Sequence, residues 1–457
     1  MSTAGDHYIT GDRVAAWAAG RCRWMVRKCR RCAWVAGVGV LTSCAIYHPV
    51  PLPAGSDLAR QAPGGVLPLD MNRVATLAVL NNPGLRSARA SLGIAQAQAF
   101  AAGLLPDPHF SYTASHATDH VLPPDPRYPE YNEYGLELDV DLLALLTHSS
   151  VRASARGDYR QAELQLLWQE WQTVAQARTL YVQQTIAAAR RTYLASAEQI
   201  YAHAAQDSQR ALAEGNVTLE QVSTDRAVLI DLQAQLGTAE RSLLTAQQEL
   251  RALLGVQPEV VIPLTRLGMP AVPDRASVVA SIARLTQLRP DLRALQAGYS
   301  AEEARVRTAI LSQFPNVGIG FTKARDDSDV HLLGGAVNLT LPLFNRGRGQ
   351  IAIERATRAQ LRADYQSRLD QTIGDAWQLW NEMRQLSRQL ADLDRRLPGL
   401  EASVHDARGA YQRHEFPAAD YFTLVSSYLS AQATHFDLLQ SLWSDSIALA
   451  TLLGTQT

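Results

Sequence analysis

The chain has 457 residues, with 43 lysines and arginines against 44 aspartates and glutamates and a formal net charge of −1. Residues 1–43 carry seven basic and two acidic side chains, a charge of +5, so the rest of the chain carries −1 − 5 = −6. This charge argues against nucleic acid as the main partner. All four cysteines lie at or before residue 44, which excludes a disulfide framework beyond it.

The N-terminal segment has the pattern of a secretion signal. Basic residues at 27, 28, 30 and 31 precede an apolar run, 33–41, that is far shorter than the ~18 residues of a spanning helix. The run closes on Leu41-Thr42-Ser43-Cys44, which resembles the bacterial lipobox, where the signal is cut before a cysteine that then carries lipid. We therefore predict a cleaved signal over 1–43 and a palmitate-bearing lipid anchor on Cys44. Met1 and Met25 are alternative start positions.

Proline and glycine are frequent in the residues that follow Cys44, and residues 44–69 are predicted to be a lipidated tether. Helical patterning begins near Asp70. No apolar run of about 18 residues occurs after Cys44, so a membrane crossing would have to be made by strands.

Two stretches have a helical pattern that is long enough to predict extended coiled coils. Between about Thr147 and Ala213 the sequence consists almost entirely of helix formers, which predicts a helix about 100 Å long. A heptad seam follows with steps of three and four residues. Its members are Leu229, Leu232, Leu236, Ala239, Leu243, Ala246, Leu250 and Leu253.

Four segments alternate in polarity as strands do: 110–117, 132–140, 316–323 and 330–341. One face of each is apolar and the other small or polar, as in the strands of a membrane barrel. Two soluble hairpins that cap a helical bundle would show the same alternation. Because four strands cannot close a wide barrel, a membrane barrel would have to be shared among several chains.

The sequence also repeats itself. At an offset of 199 residues, Leu229 and the Leu253-Leu254-Gly255 ending correspond to Tyr428 and Leu452-Leu453-Gly454. Further upstream, at an offset of 207, Asn82-Pro83-Gly84 resembles Arg289-Pro290-Asp291. A duplicated unit built from long helices restricts the fold strongly. We predict a first structural repeat over 70–265 and a second over 266–457.

The order of these elements resembles the TolC family of outer-membrane efflux channels. The supporting motifs are Arg289-Pro290-Asp291-Leu292, Phe314-Pro315-Asn316-Val317, Leu341-Pro342-Leu343-Phe344-Asn345-Arg346-Gly347 and the Leu-Leu-Gly endings. The resemblance implies a mainly α fold with a membrane β-barrel: a long α-helical coiled-coil barrel, four β-strands per chain and a homotrimeric barrel of twelve strands. It also implies a periplasmic adaptor protein, an inner-membrane pump and outer-membrane lipid as partners, and a location in the outer membrane projecting into the periplasm.

The family's hairpin tips contact the adaptor and form the gated mouth. The first tip here is Gly215-Asn216-Val217-Thr218, where glycine permits a tight reversal and Val217 offers an apolar contact. The second departs from the pattern, with His414 in place of glycine before Glu415-Phe416-Pro417. Asp420 matches a family aspartate that narrows the pore, and the uncharged Gln221 takes its place in the first repeat. A first-turn acid that satisfies backbone donors is the alternative reading of Asp420.

No catalytic triad, phosphate loop or zinc-protease motif is present, so we predict neither an enzyme nor a cofactor or resident metal site. The resemblance implies a passive channel of a tripartite efflux pump that exports small toxic solutes. The sequence at the end of the last strand, residues 341–352, most resembles the branch of the family that is paired with heavy-metal cation pumps. Multidrug efflux and type I secretion ducts share the same fold. A lipid-anchored structural coiled-coil tether in the envelope is the alternative of another class.

Overall fold

A computed structural model of the chain describes residues 47–61, 67–116, 132–326, 328–413 and 415–455. Residues 57–457 form one compact unit, and the described residues 47–56 are irregular and exposed. The predicted lipidation site Cys44 and residue His414 lie outside the described residues.

Two short helices open the body. Helix α1 (Met71–Asn81) begins where Asp70 accepts a hydrogen bond from the Arg73 backbone N–H at 2.8 Å. Helix α2 (Pro83–Ala101) begins at a proline, whose fixed φ suits a first helical position. Ahead of them, Ala59 and Leu69 form parallel bridges with Val256 and Leu264, so the end of the predicted tether runs alongside the last residues of the first repeat.

The four predicted strands form one antiparallel sheet in the order β1-β2-β3-β4. Its strands are β1 (His109–Ser115), β2 (Glu133–Asp141), β3 (Asn316–Arg325) and β4 (His331–Thr340). Because β2 pairs with β3, the two sequence repeats share one sheet.

Each strand pair leads into a long helical hairpin. Helix α3 (Leu142–Ala213) has 72 residues, a length of about 110 Å, and turns into α4 (Leu219–Leu253). The second hairpin consists of α8 (Arg348–Gln412) and α9 (Ala418–Leu453). The predicted seam of α4 is confirmed, because every one of its members is buried or half-buried.

The second repeat begins with three further helices: α5 (Arg275–Ile282), α6 (Leu285–Leu288) and α7 (Pro290–Leu311). Arg289, just before α7, is fully buried. Its guanidinium donates to both carboxylate oxygens of Asp291 at 2.8 and 2.6 Å and to the Thr372 hydroxyl at 3.0 Å, and it lies 4.9 Å from the Trp168 ring centroid. The Arg-Pro-Asp motif therefore anchors the second repeat to both long hairpins. None of the described helices is both long and apolar enough to cross a membrane.

Candidate functional site

The first hairpin reverses through the predicted glycine. Gly215 has φ +77°, a left-handed conformation that suits glycine, and the Asn216 N–H closes the helix end on the Ala211 carbonyl at 2.8 Å. Thr218 then starts α4 by accepting from the Gln221 N–H at 3.3 Å. Val217 is half-buried, so the apolar side chain most exposed beside this tip is Leu219, at 69%.

The second tip is shaped differently. Pro417 occupies the cap position of α9 and contributes no side-chain hydrogen bond. Glu415 pairs with the Arg413 guanidinium at 2.9 Å. Phe416 is half-buried against the apolar cluster between the hairpins. Of the three predicted contact residues here, Glu415 and Pro417 are exposed, while Phe416 faces the protein's own interior.

A polar network joins all four long helices near these tips. Asp225 of α4, only 2% exposed, accepts hydrogen bonds from the Ser208 hydroxyl of α3 and from the Tyr411 hydroxyl of α8, the latter at 3.0 Å. Tyr411 stacks on Tyr421 of α9 with ring centroids 4.7 Å apart, and the Tyr421 hydroxyl donates to that of Tyr201 at 3.3 Å. We call these five residues the tip network.

Burial controls the electrostatics of the tip network. Loss of water raises the pKa of the Asp225 carboxyl, although the hydrogen bonds from Ser208 and Tyr411 pull the pKa back in part. Burial also raises the pKa of Tyr411, and the adjacent Asp225 carboxylate raises it further. Burial likewise raises the pKa of Tyr201 and of Tyr421, so all three phenols of the tip network stay neutral.

The two residues predicted to narrow the pore lie on different hairpins. Asp420 is exposed in the first turn of α9, and no described residue forms a hydrogen bond or ion pair with its side chain. Gln221 is half-buried in the first turn of α4, and its side chain lowers the pKa of the Tyr411 phenol in part. A constriction formed by Asp420 requires threefold repetition of the chain and stays a prediction.

The sequence analysis did not identify Asp225 as a functional residue, although the heptad spacing of α4 places it at a core position. Continuing the seam upstream from Leu229 in steps of four and three reaches Asp225 and then Val222. A carboxylate at a coiled-coil core position is costly unless it has partners, so its position alone indicates a buried polar contact. Its partner Tyr411 lies 186 residues away and cannot be identified from spacing.

The sheet separates its charges by face. Partners in the register share a face, and one face carries every described strand carboxylate. These are Glu133, Glu137, Asp139 and Asp141, with Gly318, Gly320 and Gly334 among the residues of the same face on the neighbouring strands. The opposite face is apolar toward the helices, and its exposed side chains include Phe110, Leu138, Phe321, Val337 and Leu339.

Donors hold the acidic side chains in place. The Glu137 carboxylate accepts from the Asn338 amide at 3.2 Å, and the Asp141 carboxylate accepts from the Asn316 amide at 3.1 Å. His109 lies 3.3 Å from an oxygen of Asp139. The polar face is thus an ordered, acidic surface lined with small residues.

Comparison with known proteins agrees with this architecture. Residues 74–256 match the family model described as "Outer membrane efflux protein". The chain is 24% identical over 274 residues to the probable outer membrane lipoprotein SilC of Salmonella typhimurium. This alignment covers 58% of each protein, so the chain spans little more than half the length of that relative.

Solved structures show the same fold. The crystal structure of CusC, described in terms of transmembrane channel formation, matches with a TM-score of 0.72 at 18% identity over 90% of this chain and 100% of CusC. The outer membrane protein VceC of Vibrio cholerae matches with a TM-score of 0.69 at 20% identity over 84% of this chain and 96% of VceC. The predicted resemblance to this family and the predicted mainly helical fold with four strands per chain are confirmed. The relatives named here are outer-membrane proteins.

Proposed function

Because the chain matches the outer membrane efflux protein family and has the fold of outer-membrane channels, we propose that it is the passive export channel of a tripartite efflux pump. The observation that best supports this proposal is the four-stranded sheet. Its apolar and acidic residues lie on opposite faces, and its strands continue into two long helical hairpins. An apolar face suits lipid, and an acidic face with small residues suits a water-filled lumen.

The proposal includes a homotrimer. Within one chain, β1 and β4 each leave an edge without a strand partner among the described residues. Open edges are not tolerated in a bilayer, so three chains would supply twelve strands and close the sheet on itself. The acidic faces would then line the lumen, and the apolar faces would contact the membrane.

Heavy-metal cations are the cargo class that the charges favour. Four carboxylates of one strand line the polar face, and Asp420 is exposed in the first turn of α9. Repeated three times, these groups would attract cations and disfavour anions. The channel itself has no enzymatic role in this proposal, since a pump in the inner membrane would supply the energy and select the cargo.

The hairpin tips are the proposed contact with a periplasmic adaptor. The first tip exposes Gly215, Asn216, Thr218 and Leu219 beside the half-buried Val217, whereas the second exposes Glu415 and Pro417. The tip network ties the two hairpins of one chain together directly behind these residues. Adaptor binding that moved either tip would therefore strain the tip network, which makes it the proposed coupling between docking and opening.

Conductance tests the channel directly. Purified full-length protein reconstituted in planar bilayers should give discrete, cation-selective conductance steps, either spontaneously or after a tip-network substitution. Protein that inserts stably but conducts in neither case would favour the structural tether. Deletion of the gene in a strain without a redundant channel should lower tolerance to zinc, copper or cobalt. A loss of drug tolerance alone would contradict the cation cargo.

A further inference from the structure

The apolar face of the sheet changes character toward the strand ends distant from the helices. Near the helices, one row across three strands is Val140, Ile319 and Val337. At the far end, the corresponding row is Tyr134, Arg325 and His331. One row closer to the helices, Lys323 lies between Leu136 and Leu333. We call Lys323, Arg325 and His331 the basic edge.

Lys323 is the central residue of the basic edge. Apart from Lys28 in the predicted signal it is the only lysine of the whole sequence, because nearly all basic residues are arginines. It is exposed, and its neighbour Leu333 is 83% exposed. Arg325 pairs with Asp329 at 2.9 Å, whereas no described residue forms an ion pair with the Lys323 ammonium. A lysine on an apolar surface places its methylene chain there and extends its charge toward a polar boundary.

We propose that the basic edge binds the phosphate of an anionic lipid headgroup, while the apolar rows beside it contact the acyl chains. Charge complementarity commits the surface to this occupant through Lys323, because Asp329 lies within 4 Å of both Arg325 and His331 whereas Lys323 has no ion-pair partner among the described residues. Tyr112 lies in the same row as Lys323 and Tyr134 in the row of Arg325. Amphipathic aromatic rings favour the level of the headgroups, which indicates the same boundary. The inference rests on the proposed membrane placement of the sheet.

Competition between two lipids tests the proposal. Full-length protein in neutral detergent is incubated with equal amounts of phosphatidylglycerol and phosphatidylcholine, and native mass spectrometry counts each lipid that is retained. We expect preferential retention of phosphatidylglycerol. Lys323→Gln should reduce the preference about fivefold, the size expected for one interfacial basic side chain. Lys323→Arg should retain the preference.

The control Arg388→Gln removes one positive charge from an exposed position of α8, 40 residues or about 60 Å beyond the start of that helix. It should leave the preference unchanged. Equal retention of both lipids by the wild-type protein, or equal effects of Lys323→Gln and Arg388→Gln, would overturn the proposal. A further arm adds inorganic phosphate, matched in ionic strength by sodium chloride. Displacement of phosphatidylglycerol by phosphate alone would mean a free-anion site and would likewise overturn it.

Bilayer recordings separate this inference from the proposed function. Lys323→Gln should conduct as the wild-type protein does, because its side chain lies on the face opposite the carboxylates. A wild-type protein that conducts normally but retains both lipids equally would contradict the lipid contact alone. Preserved lipid preference without any conductance would contradict the channel alone.

Discussion

The carboxylate of Asp225 and the phenolic hydroxyl of Tyr411 lie 3.0 Å apart, and this contact joins the first long hairpin to the second. Asp225 is almost completely buried, so its charge depends on this donor and on the Ser208 hydroxyl for compensation. The stacked ring of Tyr421 extends the connection to α9. Any separation of the hairpin ends must break a hydrogen bond to a buried carboxylate.

Tyr411→Phe should loosen the hairpin ends. It keeps the ring that stacks on Tyr421 but removes the donor to Asp225, at a cost of about 1–3 kcal/mol for a buried hydrogen bond to a charged group. In planar bilayers we expect a higher open probability than in the wild-type protein. Tyr365→Phe is the matched control, since it removes a tyrosine hydroxyl bonded to Gln296 and outside the tip network. Equal open probabilities for Tyr411→Phe and the wild-type protein would contradict a role of this contact in closure.

Opening should depend on pH through Asp225. Burial raises the pKa of its carboxyl in the folded protein, so the folded state retains the proton over a range in which the unfolded state has lost it. The contribution of Asp225 to the free energy of unfolding is therefore complete below the pKa of this carboxyl in the unfolded chain. It is lost as the pH rises through the higher pKa of the same carboxyl in the folded protein. Acidification should favour closed hairpin ends, and open probability should rise with pH in this window.

Asp225→Asn isolates that effect, because the amide oxygen still accepts from Ser208 and Tyr411 but carries no charge. The variant should remain in the more closed state and lose the Asp225 part of the pH dependence of conductance. Hydrogen exchange of the helix ends near residues 208 and 411 gives a second readout, with greater protection at neutral pH than in the wild-type protein. An unchanged pH profile of conductance would count against Asp225 as the titrating group.

The sequence predicted the helices and strands well because their signals are local. The seam from Leu229 to Leu253 and the alternation over residues 316–323 follow from side-chain periodicity alone. The helix-forming pattern predicts a start of α3 near Thr147, whereas the helix begins five residues earlier, at Leu142. Asp141 ends β2 and also caps α3, by accepting from the Ala144 N–H at 2.9 Å, so no turn residues separate the strand from the helix.

Partners distant in the chain were not predictable in the same way. The tip network and the burial of Phe416 arise from packing of one hairpin against the other, which a single sequence does not specify. The acidic face of the sheet could be predicted from the sequence only in part. Alternation indicated two faces, but the register between β2 and β3 was needed to place the carboxylates together and the basic edge opposite.

Arg289→Lys should destabilise the fold. Lysine keeps the charge but cannot donate in a bidentate manner to Asp291 while also bonding Thr372 and stacking on Trp168. Because the site is fully buried, we expect a loss of about 2–3 kcal/mol, seen as a lower unfolding temperature of the detergent-solubilised protein. Arg293→Lys, one helical turn further along, is the control and should unfold near the wild-type temperature. Equal unfolding temperatures of the two variants would show that the Arg289 contacts are dispensable.

Asp420→Asn should lower the cation selectivity of the channel without weakening its fold. Asp420 is exposed in the first turn of α9, and no described residue forms a hydrogen bond with its carboxylate, so the Asp420 carboxylate does not complete a cap. If three copies face one lumen, the substitution removes three negative charges from the narrowest region. Reversal potentials in a salt gradient should then move toward the nonselective value, and Gln221→Asp in the same background should restore part of the shift. A reversal potential unchanged by Asp420→Asn, at normal conductance, would place the selective carboxylates elsewhere, and Glu137→Gln on the sheet would be the next variant to record.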